Sequence, residues 1–400
     1  MGAMGRLVPL FLLVACAAPP KSDYVPGGDG LPARARSDYR RAVGRERQGD
    51  VDGSLTILDE LSSRYPLRLG IHLHRLRLTL AYHGVAAASA LYDPPPPGVD
   101  PARADILVRL ARAPEKGVPE RMAILESATA LEPMNPFWRL ALAHVLLTAH
   151  DIVVERAERE HALGRVQASA ESYLEAAHIV EEARQEAETA LQYDENLKEA
   201  HLLLGFLWTR KADLAGDRES SDPPRHTAEY HYRKALELDP ASLTGHLNLA
   251  ENLIYFDRYK EAAGHLKDAV LLAPREPLAW NNLAYAYHSI GKLDKSVDCY
   301  RKALDLDPGN ARVRTALSDG LRRMDEPDEA LQQLERARQD AGDDRELLAD
   351  IAFKMAAIHE HEGRYREAIA EFQRHIDLGG EDAAKAKSRI RHMYEKAFEK

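Results

Sequence analysis

Between residues 277 and 310 the apolar and small positions fall at Trp280, Leu283, Ala284 and Tyr287. Beyond Gly291 they fall at Ser296, Tyr300 and Ala303, with Pro308 closing the run. Steps of three and four place each set on one face of a helix, so the stretch predicts two amphipathic helices joined at Gly291 and stopped at Pro308. The pattern recurs. The octapeptides RKALELDP at 233–240 and RKALDLDP at 301–308 start 68 residues apart, and a degenerate copy, DAVLLAP at 268–274, supplies a period of 34 between them.

Flanking stretches register on that period. Residues 243–276 carry His246, Leu249, Ala250, Leu253, Ala262, Leu266, Ala269 and Pro274, and residues 311–344 carry Leu317, Ser318, Leu321, Ala330, Leu334 and Ala337. Further out, 345–380 keep Ile351, Ala352, Met355, Ala368 and Phe372 with a displaced turn at Gly363, while 35–68 keep Gly49, Ser54, Leu58, Leu61 and Pro66 behind a polar first helix. A helix pair recurring every 34 residues resembles the tetratricopeptide repeat. The resemblance covers about residues 35–400 and implies an all-α fold: a right-handed α-solenoid of about eight helix-pair units with a C-terminal capping helix. In that family small residues at the eighth, twentieth and twenty-seventh places let the helices approach, while large ones fill the seam.

The implied organisation is degenerate units over 35–134, a unit at 135–197, core units at 198–242, 243–276, 277–310 and 311–344, a unit at 345–380, and a cap at 381–400. The cap's expected apolar side chains are Ile390, Tyr394 and Phe398. Three units carry insertions. Trp208 and Ala228 stand 20 apart where the motif expects nine, so residues 213–225 are expected to form an added loop. In the unit at 135–197 the first-helix positions Trp138, Ala141, Leu142 and Val145 are separated from Ala183, Ala187 and Ala190 by a large excess that contains no Pro and only Gly164 near its middle. That predicts a helical hairpin lengthened by about four turns and projecting roughly 20 Å. Its expected seam is Ile152, Val153, Ala157 and Leu163 against Val166, Tyr173, Leu174 and Ala177. The third insertion, 84–119, includes Pro94–Pro97 and the amphipathic run 106–110, and reads as a loop plus one extra helix.

Composition agrees with a helical protein, since aromatics make up 6% and β-branched residues are sparse. The formal net charge is −10, and no cluster of Lys or Arg stands clear of nearby acids, so nucleic acid is not an expected partner. At the N-terminus Arg6 precedes a short apolar run, Leu7 to Ala15, too short to span a bilayer. Leu13, Val14, Ala15 and Cys16 resemble a bacterial lipobox. The resemblance implies a signal peptide at 1–15, an acylated Cys16 and a tether at 16–34 rich in Pro, Gly and small residues. Ala17, where such lipoproteins carry Asp when kept in the inner membrane, implies the periplasmic side of the outer membrane. The alternative is an ordinary secretory signal that happens to contain Cys16; Cys299 is the only other cysteine.

Little points to catalysis. His72 and His74, like His359 and His361, stand two apart on expected helices and point about 200° apart, which does not clamp a metal. No Gly-rich phosphate loop, nucleophile elbow or Cys/His pair of suitable spacing is present. No cofactor is expected, and Cys299 reads as a small packed residue.

The solenoid resemblance implies that first helices line an inner groove holding a protein segment. Mapped onto this chain, the groove places are Leu202, Phe206 and Arg210; then Leu247, Glu251 and Tyr255; then Asn281, Tyr285 and His288. Arg312, Asp319, Arg322 and Arg323 follow, and finally Phe353. A carboxylate clamp of the chaperone-binding type is not expected, because Leu247 and Glu251 stand where Lys and Asn are required, although Asn282 matches. The expected function is that of a membrane-anchored periplasmic adaptor in an envelope assembly: secretin or pilus assembly, outer-membrane biogenesis, or control of peptidoglycan enzymes. An accessory part of an envelope enzyme and a homo-oligomeric structural protein are the alternatives, and the oligomeric state is left open.

Overall fold

The computed structural model describes residues 32–398 apart from 48, 113–116 and 215–217. Cys16 and the apolar run before it lie outside the described residues. Among the described residues there are eighteen helical segments, one of them, Leu69–Ala90, broken at Gly84 (φ 82°), and no strand. The fold is the all-α solenoid of antiparallel helix pairs implied by the sequence, and it divides into two compact units, residues up to Asn248 and Leu249–Lys400.

In the first unit the helices are α1 (Ala33–Arg47), α2 (Val51–Arg64), α3 (Leu69–Ala90), α4 (Pro101–Ala111), α5 (Val118–Leu131), α6 (Pro136–Ala162), α7 (Val166–Tyr193), α8 (Lys198–Asp213) and α9 (Arg218–Leu238). Helix α10 (Leu243–Tyr255) carries the division between the units. The second unit continues with α11 (Tyr259–Leu272), α12 (Pro277–Ser289), α13 (Leu293–Leu306), α14 (Ala311–Arg323), α15 (Pro327–Asp340), α16 (Arg345–His361), α17 (Tyr365–Asp377) and α18 (Ala383–Phe398). Within each unit a helix packs chiefly on the next in the chain, and first helices of successive pairs also touch, as α6 does α8, α12 does α14 and α14 does α16.

The boundaries follow from local chemistry. Asn135, Asn310 and Asp344 cap α6, α14 and α16 by accepting from the N–H groups of Phe137, Val313 and Leu347. Pro136, Pro277 and Pro327 begin helices where no N–H is needed. The turn inside a pair needs one residue at positive φ. Gly49, Gly164, Gly291 and Gly363 supply it in four pairs, and Asp257 and Asp325 in two others.

Three expectations on the insertions and cap need correction. Residues 213–225 are not simply a loop, because α9 starts at Arg218 and runs through Pro223 and Pro224. Its first turns are pinned to α8 by Ser221, whose hydroxyl donates to the Ala212 carbonyl at 2.9 Å, and by the buried Arg225, which pairs with Asp213. The long hairpin is seamed differently. Val153 and Ala157 are buried with Ser169, Ser172, Ala176 and Val180, whereas Ile152, Leu163, Val166, Tyr173 and Leu174 are exposed. Among the described side chains of the cap, Ala386 and Met393 are fully buried, Ile390 packs at the edge and Tyr394 is exposed, while the side chain of Phe398 lies outside the described residues. Helix α6 is long and apolar enough to cross a membrane, but Trp138, Leu140, Ala143 and Val145 are buried against its neighbours, as in a core helix.

Candidate functional site

The residues expected at the groove fall in both units. In the first, Leu202, Phe206 and Leu247 are half-buried, and the Arg210 guanidinium lies over the Phe206 ring at 4.7 Å. Phe206 also packs on the large core of α3 to α8, so this part offers little free aromatic surface.

The second unit gathers more. Glu251 is exposed and Tyr255 is half-buried, its ring edge-on to Phe256. On α12, Tyr285 is exposed while Leu283 and Ala284 beside it are buried, which fixes the helix's orientation. The Tyr285 ring meets Tyr259 edge-to-face at 6.2 Å. Tyr259 in turn donates to Asp257 at 2.6 Å, a bond that pushes its phenol up to about 12. Asn281 is spent on its neighbour, donating to the Asn282 side chain at 3.3 Å.

One helical layer on, Arg323 stands 3.0 Å from the His288 imidazole and donates to the His288 carbonyl at 3.4 Å. His288 is held below the usual histidine range by partial burial and then by Arg323, with Arg322 and Lys354 adding to the effect and Asp319 opposing it. The imidazole therefore stays neutral and free to accept from Arg323. Asp319 accepts from Lys354 at 2.6 Å, bridging α14 and α16, and Lys354 also faces Asp350 at 3.8 Å. Burial raises the Asp350 carboxyl despite that lysine. Arg322 is exposed and, among the described residues, pairs with no carboxylate.

Two expected residues are used elsewhere. Arg312 donates to Asp344 at 2.7 Å, tying the starts of α14 and α16 together. Phe353 is turned towards α17 and the cap: its ring meets Phe372 at 5.4 Å and His375 at 5.1 Å on α17, with Lys385 and Arg389 of α18 over its face. The sequence reading missed Lys354 and Tyr259. Neither occupies a family groove place, and only the three-dimensional neighbourhood of Asp319 and Tyr285 brings them in.

The histidine pairs go separate ways. His72 meets Tyr92 at 3.0 Å and the Pro66 carbonyl at 3.0 Å, while His74 meets Tyr39 at 2.9 Å and Glu46 at 2.9 Å. His361 is exposed beside Glu362, and His359 is half-buried. Burial, then Asp298, raises the Cys299 thiol to about 11, so it is not a thiolate at neutral pH.

A tetratricopeptide-repeat family model matches residues 277–310, and a second matches 315–383. Tetratricopeptide repeats thus occupy α12 to α17, the helices that carry Tyr285, His288, Asp319, Arg322 and Arg323. Among curated proteins the chain is 32% identical over 95 residues to anaphase-promoting complex subunit 3 of Dictyostelium discoideum, covering 24% of this chain and 10% of that one. It is 29% identical over 87 residues to small glutamine-rich tetratricopeptide repeat-containing protein 2 of Mycosarcoma maydis, covering 22% and 25%. The chain thus spans only a tenth and a quarter of the length of these two relatives. Similar solved structures include the PilF protein of Pseudomonas aeruginosa (19% identity, TM-score 0.43, 61% of this chain and 98% of that one) and a thermophilic tetratricopeptide-repeat protein of Thermus thermophilus (19%, 0.38, 55% and 98%).

Proposed function

We propose that the protein is a lipid-anchored adaptor of a bacterial envelope, tethered by an acylated Cys16 at the periplasmic face of the outer membrane. In this reading the inner helices of the 249–400 unit grip a segment of another protein in an envelope assembly, of the kind that builds secretins or pili, inserts outer-membrane proteins or controls peptidoglycan enzymes. Tetratricopeptide repeats characteristically bind protein segments, and one observation carries the location. Across α12 and α14, Tyr285, Arg322 and Arg323 stand exposed on helices whose other faces bury Leu283, Leu317 and Leu321. An exposed aromatic on one first helix, and on the next a guanidinium with no carboxylate partner among the described residues, suit a segment that brings an apolar anchor and an acidic group.

The test is site-specific photocrosslinking in cells, from position 285 or 322 of the full chain. A comparison position is Leu271 on second helix α11, which is 78% exposed. The reading expects one protein captured from 285 and 322 and not from 271; equal capture from 271 removes the groove. Acyl labelling of wild type against Cys16→Ser tests the anchor, which equal labelling would eliminate.

A further inference from the structure

The tip of the α6–α7 hairpin is spelled like the turn of an ordinary repeat. Ala157, Gly164, Ser169, Tyr173 and Ala176 follow one another at the intervals of Ala284, Gly291, Ser296, Tyr300 and Ala303. Geometry agrees: Gly164 and Gly291 turn with φ of 73° and 75°, and Ser169 donates to the Ala157 carbonyl at 2.9 Å as Ser296 does to that of Ala284.

The difference lies on the side where a repeat receives its successor. Tyr300 and Val297 are each 2% exposed, and Val297 lies against Gly320 of the following first helix, α14. Their counterparts at the tip, Tyr173 and Ala170, are exposed, Tyr173 at 37%. Tyr232 and Phe372, the aromatics at the same place in two other pairs, are buried. Among the described residues the tip is a repeat hairpin with no first helix stacked on it.

Helix α8 does not reach that far. It packs on the C-terminal part of α7, with the Arg184 guanidinium 5.3 Å from the Trp208 ring and Lys211 Nζ 3.5 Å from Glu181, and it ends at Asp213. Val166, Ala170, Tyr173 and Ala177 precede Glu181 and Arg184 at steps of four and three, and so continue the same stripe of α7. Among the described residues, the surface that α8 covers runs on uncovered for about three turns, roughly 18 Å. Leu174, 74% exposed, borders it.

We propose that this stripe receives an amphipathic helix of a partner protein, with basic flanks, in the place a following repeat's first helix would take. The charge decides the partner's chemistry. Residues 151–182 hold eight carboxylates and three arginines, a formal −5 out of the chain's −10. Arg156 and Arg165 are already engaged by Glu175 and Glu160. Such a field attracts a Lys- or Arg-rich helix and repels both an anionic lipid surface and a second copy of the same tip. None of these residues belongs to the groove proposed above, so the two sites are tested independently.

The probe is a fluorescein-labelled eighteen-residue peptide with Leu and Ala on one helical face and Lys on the other, titrated with the full chain by fluorescence anisotropy. A peptide with Glu in place of every Lys is the control. Saturable binding of the Lys peptide is expected, absent for the Glu peptide. Tyr173→Gln combined with Leu174→Gln should weaken it about tenfold or more, from the apolar area lost, and Val166→Gln less. Tyr285→Ala should leave it unchanged. These side chains are exposed, so helical circular dichroism should match wild type. Unaltered affinity in the double variant, or equal binding of the Glu peptide, overturns the proposal. So does light scattering that shows a wild-type dimer made monomeric by the same substitutions, since the stripe would then be a self-contact.

Discussion

His144 shows what a single side chain costs in this fold. It is buried in α6, its Nδ1 has no partner among the described residues, and burial pushes its pKa down to about 4. A folded pKa below the unfolded value of about 6.5 means the neutral form is favoured in the fold. Stability is therefore undiminished above pH 6.5 and drains away as pH falls from 6.5 towards 4, by roughly 2 kcal/mol between pH 7.5 and 5. His144→Leu should flatten the urea midpoint's dependence on pH over that interval by about that amount; an unaltered slope would mean His144 is protonated in the folded chain. The sequence foretold part of this chemistry. His72 and His74 could be separated by counting, because residues two apart on a helix diverge, and they do join different partners. That His144 lacks one is not countable, since it depends on which side chains α5 and α7 happen to present. Phe353 was placed in the groove by its position in the repeat, but that rule assumes a regular successor, and here the successor is the cap.

Helix pairs obey the repeat's packing rule where small residues meet large ones. A Cβ on Gly205 of α8 would stand 2.4 Å from the Tyr232 ring of α9, whose hydroxyl is 3.2 Å from that of Thr209. Gly205→Ala should therefore force the pair apart and cost about 1–3 kcal/mol. Gly264, within α11, has nothing within 4 Å of its would-be Cβ. Gly264→Ala should accordingly stabilise by up to about 1 kcal/mol through helix propensity. Chemical denaturation of the two variants side by side checks the contrast, and equal effects would deny close approach any part in it. This periodic spelling is why pairs and turns could be read from sequence. The hairpin's seam could be read only at Val153 and Ala157, because on α7 the small residues Ser169, Ser172 and Ala176 fill most of it while Val166, Tyr173 and Leu174 face outward, the reverse of the usual pattern. The loop expected at 213–225 failed for another reason: it rested on a spacing count, which cannot tell an added loop from an early start of α9, and bonds from Ser221 and Arg225 hold that helix through Pro223 and Pro224.

An array in which helices contact chiefly their sequence neighbours should lose stability from its ends inward. The 249–400 unit ends in α18, which covers Phe372 with Met393 and Ala386 and is tied to α16 by Arg389 donating to Glu360 at 2.7 Å. Met393→Asp would place an unpaired carboxylate against Phe372 and Ala368, at a cost of several kcal/mol. Hydrogen exchange of that variant should show protection lost in α18, α17 and the facing side of α16, with the loss fading through α14 so that α12 exchanges as in wild type. The fading is the discriminating feature, because the same substitution in an all-or-none domain lowers the protection of every slow amide by one common factor. Uniform loss from α11 to α18 would mean that the family's local spelling builds a single cooperative core in this unit, and a binding face on α12 and α14 would then feel any damage at the cap.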